Sequence, residues 1–175
     1  NNKNLYEKIK ILRYAGTYSD PKKIITNQTR YSSLNHKIDT IQASLILVML
    51  KNLPKRMKRR NEIALQYNDN LSNYVDVPDI NKNSNHALYT YVIKTNKRDR
   101  LMKFLNQNGI ETKIYHKPLI SNSNIYKKFK KYKLPNAELF IKQILSLPAN
   151  EKLSNTQVKY IIDKIKFFFK NKNDK

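Results

Sequence analysis

Between Ile38 and Leu53 the chain places Ile38, Ile41, Leu45, Val48 and Met49 at helical spacing, with Leu47 and Leu50 filling the flanks. Apolar residues recurring three and four apart specify a helix. Here they cover more than half of its circumference, which calls for burial on several sides. Directly ahead stand Asn35, His36 and Lys37, a polar cluster at the mouth of a helix that reads as buried. Any fold adopted by this chain has to cover the one and find a use for the other.

The flanking segments read in order. Leu5, Ile9 and Leu12 predict a helix over 3–14 that ends near Gly16. Residues 15–36 are polar, with Gly16 and Pro21, and read as an irregular crossing with a short strand at the "KKII" stretch. Pro54 marks a joint, because proline cannot donate to the preceding turn. Beyond it Met57, Ile63, Ala64, Tyr67 and Leu71 define a second, amphipathic helix whose other face is the basic run "KRMKRR", read as solvated.

"DVPDINKNSN" at 76–85 is turn chemistry and divides the chain into a segment 1–75 and a segment 76–175. "HALYTYVIKT" reads as a strand, "KRDRLMKFLNQNG" as a short helix with Leu101, Phe104 and Leu105 inward and Asn108-Gly109 as its cap, and "IETKIY" as a second strand. A loop opens at Pro118 and runs into a turn rich in tyrosine and lysine. Pro135 begins a helix over "PNAELFIKQI", and "LSLP" leaves it extended. Ser154 and Gln157 form a capping box for a last helix bearing Val158, Ile161, Ile162, Ile165 and Phe169, and "NKNDK" frays. Strand–helix–strand with a short edge strand, covered by helices, is a small α/β (α+β) layer, and the leading helices connect it to something larger. The chain begins with Asn rather than Met and reads as a piece of a longer protein.

The net charge of +22 raises the question of nucleic acid. Of the 35 basic residues only 7 are Arg, and Asn occupies 23 positions while Gly occupies 2. That is a chain-wide bias toward Lys and Asn. Nucleic-acid readers depend on the guanidinium fork, so the charge reads as solvated surface rather than as a polyanion site. A basic helical nucleic-acid module stays as the rival reading, together with an inactive truncated remnant. No apolar run is long enough to span a membrane, and no signal-peptide core is present; a soluble cytoplasmic protein is expected.

The absence of cysteine removes thiolate metal sites and thiol nucleophiles. His36, His86 and His116 are too few and scattered to imply metal, and two glycines 93 residues apart make no phosphate loop. Asp39 and Glu62 read as helix charges rather than as an acid/base pair.

Motifs carry the reading further. Asn35-His36-Lys37-Ile38-Asp39-x-Ile41-Gln42-Ala43 resembles the N-x-R-[LM]-[DT]-x-[LI]-Q-A signature of the DegT/DnrJ/EryC1/StrS family, the pyridoxal-phosphate-dependent sugar aminotransferases of fold type I. "LYEKIKILRYAG" resembles the helix before that signature and "KRRNEIALQYNDNL" the one after it. "HALYTYVI" is similar to H-x-[WY]-H-L-[YF]-V. "GIETKIYHKPL" resembles G-I-x-T-x-I-H-Y-x-P-L, and "AELFIKQILSLP" resembles A-E-x-x-x-x-x-[IV]-L-S-L-P. These blocks follow family order over nearly the whole chain.

The resemblance implies a C-terminal portion of such an enzyme, with pyridoxal 5'-phosphate as cofactor, a nucleotide-linked keto-sugar as substrate, glutamate as amino donor, and a homodimer. Residues 1–75 would be the end of the large domain, the phosphate loop that reaches into the neighbouring subunit, and connecting helices. Residues 76–175 would be the small domain. Asn35 and Lys37 would bind the neighbour's cofactor phosphate, since an amide donor and a cation at a helix start suit a phosphate dianion. Tyr115 and His116 fall at the substrate wall. The Schiff-base lysine is expected upstream, so this chain alone would be inactive and holds no catalytic residue. Departures are specific: Lys37 stands for Arg, Ser33 for Gly, Tyr89 for His, Ile120 for His, and Tyr115-His116 inverts the His-Tyr order.

Overall fold

The computed structural model describes residues 2–20, 22, 25–80, 86–126 and 133–171. The chain forms two packing units, residues 1–52 and 53–175. The boundary expected after residue 75 therefore does not coincide with the packing boundary. Ile63, Ala64, Tyr67 and Leu71 belong to the same core as residues 91–168, which draws the segment from Leu53 onward into the second unit.

In the first unit, helix α1 runs over Lys3–Arg13. Asn2 caps it, its side-chain oxygen accepting from the Leu5 N–H at 3.0 Å. Lys10 and Arg13 occupy the last turn, where cations suit the helix dipole. The stretch expected to be an irregular crossing with one short strand at "KKII" instead carries an antiparallel hairpin, β1 (Thr17–Asp20) and β2 (Ile25–Thr29), with Thr17 opposite Thr29 and Tyr18 opposite Gln28; residues 23 and 24 of "KKII" lie outside the described residues. Its polar strands hide the period-two signal that a half-buried strand would show. Gly16, at φ +72°, makes the entry: its carbonyl accepts from the N–H groups of Arg30 and Tyr31. A Cβ there would lie 1.7 Å from the Tyr31 carbonyl oxygen, so no other residue fits.

Helix α2 spans Thr40–Leu71 without interruption and contains Pro54. The helix break expected there is absent, although the boundary between the two packing units falls beside it, between Asn52 and Leu53. A proline inside a helix removes one backbone hydrogen bond and costs about 3 kcal/mol, and here the helix bears that cost while its later turns are held by core packing. The expected burial of 38–53 is also not provided by this chain. Ile41 is 73% exposed, Leu47 67%, and Leu45 and Val48 61% each.

The second unit adds β3 (Tyr91–Lys94), α3 (Arg98–Gln107), a 3-10 turn at Ile120–Asn122, α4 (Pro135–Gln143), β4 (Ile144–Leu147) and α5 (Asn155–Lys170). Strands β3 and β4 pair antiparallel, Tyr91 opposite Leu147 and Lys94 opposite Ile144. Single bridges flank them, Asp76 with Lys94 and Lys113 with Ser146. The segment "IETKIY" is thus one rung rather than a strand. In an antiparallel ladder the next hydrogen-bonded pair would oppose residue 111 to Pro148, which has no N–H to donate. The "HALYTYVIKT" strand is likewise confined to 91–94: the Leu88 N–H folds back onto His86 Nδ1 at 2.9 Å, and Leu88 adopts φ +43°.

One face of this sheet carries the core. Tyr91, Ile93, Leu145 and Leu147 meet α2, α3 and α5 through Tyr67, Leu71, Leu101, Leu105, Val158, Ile162 and Ile165. The expected mixed layer of a small sheet covered by helices is the observed one. Helix α3 ends in a Schellman motif: the Ile110 N–H bonds the Leu105 carbonyl, the Gly109 N–H bonds that of Asn106, and Gly109 has φ +73°. Ser154 and Gln157 form the expected reciprocal capping box on α5. Phe168, rather than Phe169, is the more deeply buried of the last aromatics. The tyrosine- and lysine-rich turn expected after Tyr126 falls largely outside the described residues, as do 172–175 of the fraying tail.

Candidate functional site

The polar cluster ahead of α2 lies in the first unit, and its backbone is tied to the end of α1. Tyr14 and Asn35 form an isolated antiparallel bridge, and the His36 N–H donates to the Arg13 carbonyl at 3.0 Å. The Ser33 hydroxyl donates to the Leu12 carbonyl at 2.9 Å, so Ser33 fastens the loop that a glycine would leave freer. The start of α2 is satisfied without Asn35. Asp39 accepts from the Ile41 N–H at 2.8 Å, and the Gln42 side-chain oxygen accepts from the Asp39 N–H at 3.4 Å. The Ala43 N–H reaches the Asp39 carbonyl at 2.8 Å. Asp39 is the cap, its carboxylate accepting from the second amide of the helix while the Gln42 side chain reaches back to its own N–H. Glu62 stands 3.5 Å from Arg59.

Asn35 is thereby free for other work. Its side-chain oxygen accepts from the Lys37 N–H at 3.4 Å. Among the described residues its amide nitrogen donates to no protein acceptor. Lys37 lies with its ammonium 4.0 Å from the centre of the Tyr14 ring, a cation–π contact that fixes where the charge sits. An amide donor and an anchored cation, both exposed, are a donor set suited to a phosphate. Tyr14 was not legible as part of this site, because nothing local in sequence links it to a residue 23 positions later.

A second candidate lies in the other unit, on the sheet face opposite the core. Arg60, Tyr89, Lys113, Tyr115, Ser146 and Asn150 line a cleft of about 380 Å³. The alternation that sends Leu145 and Leu147 inward sends Ser146 to this face. Of the expected substrate-wall pair, Tyr115 lines the cleft. His116 does not, its ring standing edge-on to that of Tyr115 at 5.1 Å. Tyr89 faces Tyr115 with ring centres 6.4 Å apart.

The wall formed by 148–153 is pinned from α2. The Tyr67 hydroxyl donates to the Pro148 carbonyl at 2.7 Å, Arg59 to the Leu153 carbonyl at 2.7 Å, and Arg60 to Glu151 at 2.8 Å. Arg56 adds a longer contact to Glu151. The arginines of the "KRMKRR" run, read as solvated, are therefore structural. A backbone N–H and the Arg60 guanidinium hold the Glu151 carboxyl below the usual carboxylate range. The Lys113 ammonium donates to the Glu111 carboxylate at 3.0 Å, which raises its pKa, so the cleft's cations are already compensated. Burial pushes the Tyr67 hydroxyl well up, so it stays a donor. Among the described residues no His, Asp or Glu cluster could hold a metal, and no helix is long and apolar enough to cross a membrane.

The sequence profile of the DegT/DnrJ/EryC1/StrS aminotransferase family matches residues 1–166. The chain is 28% identical over 177 residues to a pleiotropic regulatory protein of Geobacillus stearothermophilus, covering 98% of this chain and 46% of that protein. It is 21% identical over 166 residues to a dTDP-3-amino-3,6-dideoxy-alpha-D-galactopyranose transaminase of Aneurinibacillus thermoaerophilus, covering 94% and 44%. A DegT DnrJ EryC1 StrS aminotransferase from Brucella abortus superimposes with a TM-score of 0.86 at 29% identity, over 97% of this chain and 44% of that one. The chain spans less than half the length of each.

Proposed function

The chain belongs to the DegT/DnrJ/EryC1/StrS aminotransferase family, and on that premise we propose that it is the C-terminal portion of a pyridoxal-phosphate-dependent enzyme that aminates a nucleotide-linked keto-sugar. A relative that bears a dTDP-amino-sugar transaminase name supports the substrate class. Glutamate is the proposed amino donor, a cytoplasmic homodimer the proposed working form, and the Schiff-base lysine is assigned to the part of the family that this chain does not span. In this reading residues 1–75 carry the phosphate loop and connecting helices, and residues 76–175 the small domain. The second half of α2 packs with that small domain.

Within the reading, each residue has a stated task. Asn35 donates its unpartnered amide N–H to the cofactor phosphate of the neighbouring subunit. Lys37, held by the Tyr14 ring, supplies a positive charge beside it. Asp39 and Gln42 keep the α2 start closed, so that Asn35 is not drawn into capping. Held there, pyridoxal phosphate would supply the carbonyl that carries the amino group and the ring that takes up electron density during proton transfer. The exposed apolar face of 38–53 packs against the remainder of the enzyme and its partner subunit.

The observation that carries this reading is the division of labour between Asn35 and Asp39. The expected cap position is filled by Asp39, which leaves an anchored amide with no structural duty. Mixed dimers test it. A subunit lacking its Schiff-base lysine, paired with an Asn35→Ala subunit, regains one site with both elements intact and, at limiting pyridoxal phosphate, recovers activity above that of either homodimer. No recovery in the mixed dimer would sink the cross-subunit assignment.

A further inference from the structure

A further cleft, of about 520 Å³, opens at the end of the small sheet where Lys94 pairs with Ile144. It shares no residue with the cleft at Tyr115. Tyr74, in the turn after α2, and Phe169, near the end of α5, supply its aromatic wall. Their ring centres stand 6.3 Å apart with the planes tilted by 43°, and both residues are half-buried. Leu139, 54% exposed, extends the apolar surface from α4.

The polar groups of the cleft fall into two sets. One is spent within the protein: Lys94 pairs with Asp76 at 2.9 Å and lies 5.2 Å from the centre of the Phe140 ring. The other is open. The Gln143 side-chain nitrogen donates to the Asn96 side-chain oxygen. That bond leaves an amide donor on Asn96 and an amide acceptor on Gln143, and among the described residues neither meets a partner. Turning both amides end for end leaves the same set, one donor and one acceptor. Lys97 is exposed, and among the described residues its ammonium makes no ion pair.

A ligand that uses all of these groups is flat, carries a donor and an acceptor along one edge, and is negative at one end. A bare anion would use Lys97 alone, and an aliphatic ligand would cover the amides without pairing them. Aromatic side chains stack nucleobases, and side-chain amides complement the neighbouring donor and acceptor of adenine. We propose that this cleft binds an adenine nucleotide, its base against Tyr74 and Phe169, its edge on Asn96 and Gln143, and its phosphate at Lys97. No residue of the site belongs to the Asn35 loop or the Tyr115 cleft, so the proposal stands apart from the aminotransferase reading.

The test is saturation-transfer NMR on the 175-residue chain, a method that tolerates self-association, with adenosine and adenosine 5'-monophosphate as probes. Salt at about 0.3 M suppresses loose pairing of the phosphate with a chain of net charge +22. The adenine ring protons should receive more saturation than the ribose protons, with an affinity in the millimolar range. Asn96→Ala should weaken both probes about three- to tenfold, as loss of one hydrogen-bonding group does. Phe169→Leu, which keeps an apolar side chain on α5, should weaken both about fivefold through lost stacking. Lys97→Ala should weaken the nucleotide about two- to fivefold and leave adenosine unchanged. Asn96 and Lys97 are exposed, so both alanine variants should melt close to the wild-type temperature. Tyr115→Ala should leave both probes unchanged. Absence of adenine saturation, unchanged binding in Asn96→Ala, loss of binding in Tyr115→Ala, or displacement of adenosine by inorganic phosphate at constant ionic strength would each overturn the proposal.

Discussion

The Lys37 ammonium lies 4.0 Å from the centre of the Tyr14 ring, and the same Tyr14 pairs through its backbone with Asn35. One aromatic residue at the end of α1 thus positions both members of the proposed phosphate loop. In the assembled enzyme, Asn35→Ala should weaken cofactor retention about ten- to a hundredfold, the loss of one hydrogen bond to a charged acceptor. Lys37→Ala should act in the same direction, most strongly at low salt, because its contribution is Coulombic. Lys37→Arg should be tolerated. Equilibrium dialysis against pyridoxal phosphate over a salt series measures all three, and an Asn35→Ala protein with wild-type affinity at every salt concentration contradicts the assignment.

The 175-residue chain by itself should show no transamination and no stoichiometric, saturable cofactor absorbance. Stray lysines will react slowly with the aldehyde, without defined stoichiometry. A saturable band abolished by one Lys substitution would reverse this expectation.

The apolar face of α2 should drive self-association of the isolated chain. Ile41 and Leu47 are each about two-thirds or more exposed, and contiguous apolar patches of this kind associate in water. Sedimentation velocity across a concentration series should show reversible oligomers or aggregates, and Leu47→Lys together with Ile41→Lys should shift the distribution toward monomer. A wild-type chain that stays monomeric at high concentration speaks against an interface role.

Acid should loosen the second unit through Glu151. Its carboxyl pKa is depressed in the fold, first by a backbone N–H and then by Arg60. The stabilisation is therefore fully present above the unfolded carboxylate value, about 4.3, and is lost as pH falls through the lower folded value. Glu151→Gln should flatten the acid limb of a melting-temperature profile while changing little near neutrality beyond the lost ion pair. An unchanged acid limb would show that the pair contributes nothing.

Much of the helical framework was legible in the sequence because its signals are local. The Ser154–Gln157 box, the Asn108-Gly109 stop and the proline that opens α4 each act within one turn, and all appear where expected. The hairpin 17–29 was not legible, since its register is set by Gly16 and by polar strands without alternation. Pro54 misled for a related reason: its local cost is real, but α2 is held by side chains that meet partners tens of residues away. The site divides in the same way. Asn35 and Lys37 are visible as a motif, while Tyr14 beside them owes its part to tertiary placement.

The two glycines set a limit on how far the composition of this chain can drift. Lysine and asparagine have spread through nearly every segment, yet both remaining glycines sit at left-handed backbone positions. They are not equivalent. Around Gly109 a Cβ would meet nothing within 4 Å, so asparagine, which tolerates that conformation, could replace it at small cost. At Gly16 the Tyr31 carbonyl blocks every side chain alike. Further substitution toward the prevailing residues can therefore erode the end of α3 gradually. At the hairpin entrance it meets a hard stop, because the step from glycine to any other residue displaces the backbone that leads to the proposed phosphate loop.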